Sequence, residues 1–297
     1  MPRSTHRPWY GTAPGSEGTL DMLEALQYEF MRNALMAGLL ASVACGIVGV
    51  YVVVKKVVFI SGGIAHASFG GIGLGYFMGI NPIVGALFFA LGSGLAIGGI
   101  TRRTRLPADT AIGVLWAIGM ALGVIFIALT PGYAPDLMGY LFGNILAVPF
   151  RDIVLMLVLV AAIIGFVVAL YKEYLILSFD EEYGTVAGMP VEKLYLLLLA
   201  MIALTVVVLI QVVGMILVIA LLTFPAAIAR QFTHNMKTMM LLSTVLGFIF
   251  ILGGLWLSYA LKLPSGATIV LLAGAMLAAS FGLSRLRVRH LENRKAA

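Results

Sequence analysis

Charge is the scarcest feature of this chain. Only 11% of its 297 residues are charged, 61% are hydrophobic, and the mean hydropathy is +1.06. A water-soluble domain carries about 25% charged and about 45–50% apolar residues, so a soluble fold is excluded. Cysteine is nearly missing as well. Cys45 stands alone beside Gly46, which rules out an internal disulfide and leaves a small packing residue. No cysteine cluster and no His-x-x-x-His pair offers a structural metal site. The chain also lacks a Gly-x-x-x-x-Gly-Lys-Ser/Thr loop, so it does not bind ATP by that route. The apolar runs hold no paired carboxylates and no nucleophile beside a base, which argues against an intramembrane enzyme.

What remains is a set of long apolar runs, some of which, such as 153–170 and 194–210, contain no charge at all. The expected fold is all-α: a polytopic membrane protein of about eight or nine transmembrane helices, each needing about twenty residues to cross a bilayer. Residues 1–21 are rich in Gly, Pro, Ser and Thr and lack the apolar stretch of a signal peptide. They are expected to be a disordered leader or a mis-assigned start ahead of Met22. The transmembrane body is expected to run from 22 to 286, with a basic tail at 287–297. Spans are expected at Ala34–Val54, Gly62–Gly79, Ile83–Ile100, Thr110–Leu129, 153–170, Leu194–Gln211, Gly214–Ala229, Met239–Ala260 and Ser265–Leu283. Between the fourth and fifth, Leu137–Val148 is apolar but too short to cross, and reads as a re-entrant or interfacial half-helix.

The net charge of +6 comes from basic residues gathered between the runs. Positive-inside bias explains them better than nucleic-acid binding does. Putting Lys55/Lys56, Arg102–Arg105, Lys172–Lys193, Arg230–Lys237 and the tail inside gives a consistent alternation, with the N-terminus outside. Arg151, beside Asp152, is the basic residue that departs from it. The tight corner Gln211–Gly214 leaves the choice between eight and nine crossings open.

The stretch Ile60–Ile80 attracts attention first. Gly63, Ala67, Gly71, Gly75 and Gly79 recur every four residues and form a small-residue seam on a helix. Beside it runs Gly62, His66 and Gly70, and His66 is the histidine found within an apolar run. Such a group is either a buried imidazole bonded to its surroundings or a ligand in a cation path. Asp136 and Asn144 flank the half-helix and either draw cations to a pathway mouth or cap and solvate its ends. Asp109 reads as a helix cap. Pro225 interrupts the helical pattern of 214–232, as a simple kink or as a pathway gate. The polar segment 178–193 carries Asp180, Glu181 and Glu182. It is either a solvated loop or a short helix docked into a cytoplasmic partner, with Gly184 and Gly188 permitting the turns around it.

Six landmarks then occur in order: IAHAS at Ile64–Ser68, DTAIG at Asp109–Gly113, DLMGYLFGNILAV at Asp136–Val148, FDEEYGTVAGMPV at Phe179–Val191, GMILVIALLTFPAAIA at Gly214–Ala229 and LPSGATIVLLAG at Leu263–Gly274. In these the chain resembles the permease subunits of bacterial and archaeal ABC importers for zinc, manganese or iron. The resemblance implies a fold similar to vitamin B12-type importer permeases, in the cytoplasmic (inner) membrane as a homodimer with its pathway on the dimer axis. It also implies two ATPase subunits inside, which would hold the ATP, and an extracytoplasmic metal-binding protein. The metal would be cargo, with no cofactor bound permanently. Under this resemblance 179–190 is the segment coupling the permease to the ATPase, and His66 is the histidine of the pathway helix. One departure stands out: members often carry an aspartate four residues before that histidine, where this chain has Gly62. The rival readings are a secondary carrier driven by an ion gradient and a membrane scaffold that transports nothing.

Overall fold

The computed structural model describes residues 27–131 and 137–296, and every regular element among them is a helix. In chain order these are α1 (Glu29–Val54), α2 (Val58–Phe77), α3 (Pro82–Arg103), α4 (Ala108–Leu129), α5 (Leu137–Phe142), α6 (Phe150–Ala169), α7 (Tyr171–Phe179), α8 (Glu181–Val186), α9 (Val191–Val213), α10 (Met215–Phe232), α11 (Met236–Leu261) and α12 (Ser265–Ala296). Nine of these, among the described residues, are long and apolar enough to cross a membrane. Local chemistry sets their limits. Asn81 accepts a hydrogen bond from the Ile83 amide with Pro82 in the first turn of α3, and Asn235 accepts from the amides of Lys237 and Thr238 to start α11. At α4 the residue before the helix is Pro107, so Asp109 lies in the first turn and acts through its charge rather than as a side-chain cap.

The corner at Gly214 separates two of the nine candidate spans among the described residues. Its φ of +78° ends α9 and begins α10 one residue later. Glu192, at the start of α9, meets Arg103, and Arg230, near the end of α10, donates to the Val53 carbonyl at 2.9 Å. Both far ends therefore lie at the basic end of the bundle, and Gly214 reverses the chain at the opposite end.

Small residues determine which helices touch. Along α2, Gly71 lies against the backbone of Gly85 in α3, while Gly73 and Ala67 lie against Gly123 and Gly119 in α4. A Cβ at Gly71 or Gly73 would overlap the facing backbone. In α1 the same spacing seats α11, with Gly38 on Ile251, Ser42 on Gly247 and Gly46 on Thr244, and Gly49 takes the Leu222 carbonyl of α10. The seam in α2 is one step shorter than expected. The helix ends at Phe77, and Gly79 sits in the following turn with φ +67° and nothing packed on it.

Two expected breaks differ. Leu137–Val148 is two pieces: α5 stops at Phe142, Gly143 takes φ +69°, and Ile145–Ala147 form a short 3-10 turn. The reason is close packing, because the Gly143 backbone lies directly on Val213 and Gly214, and the Phe142 carbonyl lies on Gly266. Conversely, α10 runs unbroken through Pro225, which is buried. The missing amide costs one helical hydrogen bond there without ending the helix.

Replacing Gly71 with leucine should destabilise the protein by about 3 kcal/mol or more, since backbone rather than a flexible side chain must move. Leucine at exposed Gly92, where no atom lies within 4 Å, should be tolerated. Thermal unfolding of both variants in detergent measures the difference.

Candidate functional site

His66 projects from the middle of α2, on the turn after Gly62. Its ring stacks on Trp116 of α4, with centroids 4.0 Å apart and planes 8° from parallel. Its Nδ1 is buried and has no hydrogen-bond partner. A buried polar nitrogen left unpaired by the protein is costly. Packing one turn away is loose: a Cβ at Gly62 would meet only Ile219 of α10, at 4.0 Å. Gly62 is the loosest contact on this helix, whereas Gly63 presses on Ile112 and Gly70 on the Gly119 carbonyl and the Phe89 ring. These two glycines serve helix contact. Pro225 lies on α10 but nearly two turns beyond Ile219, about 9 Å along the axis. Asp136 lies outside the described residues. Among the described residues no three His, Cys, Asp or Glu side chains are grouped to hold a metal ion, so His66 is a lone ligand candidate within one chain.

A neutral imidazole stacked on an indole can offer its free nitrogen to a borderline transition-metal ion. Trp116 holds the ring plane, as partners around a ligating histidine commonly do. Sequence reasoning missed Trp116 entirely. It lies 50 positions from His66 on another helix, and nothing in its own surroundings in sequence marks it.

The second group of residues lies at the basic end. Asp180 caps α8, accepting from the Tyr183 amide at 2.8 Å. Glu181 is held by two cations at once, Lys55 after α1 and Arg102 in α3, the latter at 3.1 Å. Lys55 also donates to the Leu177 carbonyl at 2.8 Å, and the Arg102 guanidinium lies 4.3 Å from the Tyr195 ring of α9. Four elements thus converge on one carboxylate. Glu182 points away and is exposed, beside Phe179, Tyr183 and Val186, which are 62%, 60% and 88% exposed. The two glycines of this segment part company. Gly188, with φ +77°, makes the turn expected of it, but Gly184 is buried inside α8 between Ile176 and Val191 and makes no turn.

The comparisons with known proteins agree with this architecture. The profile of the ABC 3 transport family matches residues 27–283. The chain belongs to the ABC 3 transport family. Among its relatives, an uncharacterized membrane protein of Synechocystis sp. is 52% identical over 252 residues, which is 85% of this chain and 90% of that one. A manganese transport system membrane protein of Listeria monocytogenes is 34% identical, covering 84% of this chain and 88% of that one. The solved structure of PsaBC from Streptococcus pneumoniae in complex with Fab superposes with a TM-score of 0.80 at 33% identity, over 88% of this chain and 95% of that chain. An ABC 3 family chain with nine spans is thus a multi-pass protein of the cell membrane, as the resemblance in its motifs implied.

The two glutamates of α8 should behave differently. Glu181→Lys places a third cation among Lys55 and Arg102 and should lower Tm by about 4–8 °C, equivalent to about 2 kcal/mol. Glu182→Lys, on the exposed face, should change Tm by about 1 °C or less. Circular-dichroism melts in detergent separate the two.

Proposed function

We infer that the chain is the permease subunit of an ATP-driven importer for a divalent transition-metal ion, within the set of zinc, manganese and iron. The observation that carries this is membership of the ABC 3 transport family over nearly the whole body, with a Listeria relative named for manganese transport. The site supports it in two places. The His66 Nδ1 is buried without a protein hydrogen-bond partner, and the segment at the basic end exposes Phe179, Tyr183 and Val186.

In this reading the chain pairs with a second copy, and its two-fold axis carries the ion. Metal arrives from an extracytoplasmic binding protein on the Gly214 side, near Asp136, and passes His66 and the space at Gly62 before the Pro225 stretch of α10. Gly63 and Gly70 hold the pathway helix against its neighbours. ATP is bound and hydrolysed by two separate ATPase subunits, so this chain is not itself an enzyme. They grip Phe179, Tyr183, Val186 and Glu182, while Asp180, Glu181, Gly184 and Gly188 give that docking segment its shape and its link to α1 and α3. Burying those exposed apolar side chains supplies the affinity.

Reconstitution of the complex with its ATPase and binding protein, supplied with zinc, manganese and iron in turn, tests the assignment. Uptake of one metal should depend on ATP. His66→Ala should reduce that uptake about tenfold or more with assembly intact, because it removes the imidazole ligand. Gly62→Asp, whose Cβ would meet only Ile219 at 4.0 Å, should lower the KM for metal by placing a carboxylate one turn from the imidazole. Unchanged uptake in His66→Ala would return the histidine to a packing role.

A further inference from the structure

A groove of about 800 Å³ opens on the flank of the bundle between α6 and α11, at the basic end. Val43 and Ile47 of α1 form its floor, Ile164 and Val168 one wall, and Met240 and Leu241 the other. The rims are exposed on the flank of the chain, Val168 by 71% and Leu241 by 67%. Its mouth is different in kind. Lys172 and Lys237 stand on opposite sides of it with Tyr171 between, and the Lys237 ammonium lies 5.1 Å from the Tyr171 ring. Thr244 adds a hydroxyl deeper in, and Glu173 is the acidic residue that lines the groove. The first turn of α11, whose amides point toward this end, lies alongside.

We propose that this groove binds an anionic glycerophospholipid of the cytoplasmic leaflet. One acyl chain lies along the apolar floor, and the phosphate sits between Lys172 and Lys237. The combination decides against unspecific contact with lipid. A second groove, between α6 and α9, is lined by Leu159, Phe166, Leu197 and Leu204 and presents no charged residue at all. It fits any acyl chain, whereas the first fits a chain and an anion together. Two lysines lining one groove between helices at the basic end have the chemistry of the basic pockets that recognise acidic lipids. The bound lipid would sit against Tyr171, the first residue of α7, and α7 leads directly into Asp180 and the docking helix α8.

The test is native mass spectrometry of the full-length chain in its native assembly, purified in neutral detergent and exposed to an equal mixture of phosphatidylglycerol and phosphatidylcholine. The wild type should retain phosphatidylglycerol in clear preference. Lys172→Gln with Lys237→Gln should lose that preference about tenfold or more, and Lys172→Arg with Lys237→Arg should keep it. Val168→Trp, which narrows the groove without touching the charges, should reduce retention of both lipids at unchanged Tm. It also serves if the double glutamine variant fails to fold. Equal retention by the glutamine variant overturns the proposal, as does phosphatidylcholine bound as well as phosphatidylglycerol. Glycerophosphoglycerol without acyl chains competing as strongly as the intact lipid would make the site one for a free phosphate ester. Absence of any retained lipid, with a second copy cross-linking into the groove, would make this flank an interface between chains.

Discussion

In a bilayer the hydrophobic effect does not press one helix against another, so close contact of small residues takes over that task. Here it divides the bundle into two packed sets. Gly71, Gly73 and Ala67 bind α2 to α3 and α4, and Gly94 and Gly98 carry α3 onto Leu199 of α9. Gly38, Ser42, Gly46 and Gly49 bind α1 to α11 and α10, and Gly254 seats α12 by Ile269. Between the sets the contact is looser, and Gly62 opposite Ile219 is one of the places where it shows. His66 sits one turn from that seam. In the reading proposed above, this juxtaposition of the loosest glycine of α2 and its histidine is where the cargo ion would pass.

The two sets are tied together at their ends by different chemistry. At the far end the Gly143 backbone wedges against Gly214 while Phe142 reaches Gly266, so α5, α9, α10 and α12 meet without side chains between them. Tyr140 adds a hydroxyl contact of 3.0 Å to Tyr76, which ties α5 to α2. At the basic end the tie is ionic, and Glu181 holds Lys55 of one set and Arg102 of the other. The pair is half-shielded, with the Lys55 side chain 11% exposed and Glu181 37%, so the attraction is less screened than on an open surface. One carboxylate of α8 therefore joins both sets, while Tyr183 and Val186 of the same helix are exposed.

Much of the fold was legible in the amino-acid order. Lack of charge fixed the class, run length placed nine spans to within a few residues, and the positive-inside bias put every basic loop at the end where the ion pairs later appear. The four-residue glycine spacing correctly marked α2 as a close-packed helix. It could not tell packing from pathway, because Gly62, Gly63 and Gly70 look alike in sequence and differ only in what faces them. The same limit hid Trp116, and it hid the partners of Glu181, since basic loop residues show their sign but not their neighbours. At Pro225 the expected interruption does not appear, because the helix continues through the buried proline with one hydrogen bond fewer.

The isolation of His66 is compatible with transport for a physical reason. A resident metal is held by three or four ligands and stays, whereas an ion in transit must be bound well enough to enter and weakly enough to leave. In the reading proposed above, one imidazole per chain, with its plane held by Trp116 and its Nδ1 unpaired, would give a weak site of this kind. Gly62 is consistent with that logic: a carboxylate there would bind more tightly and release more slowly, and the glycine leaves the site at the weaker end of its range.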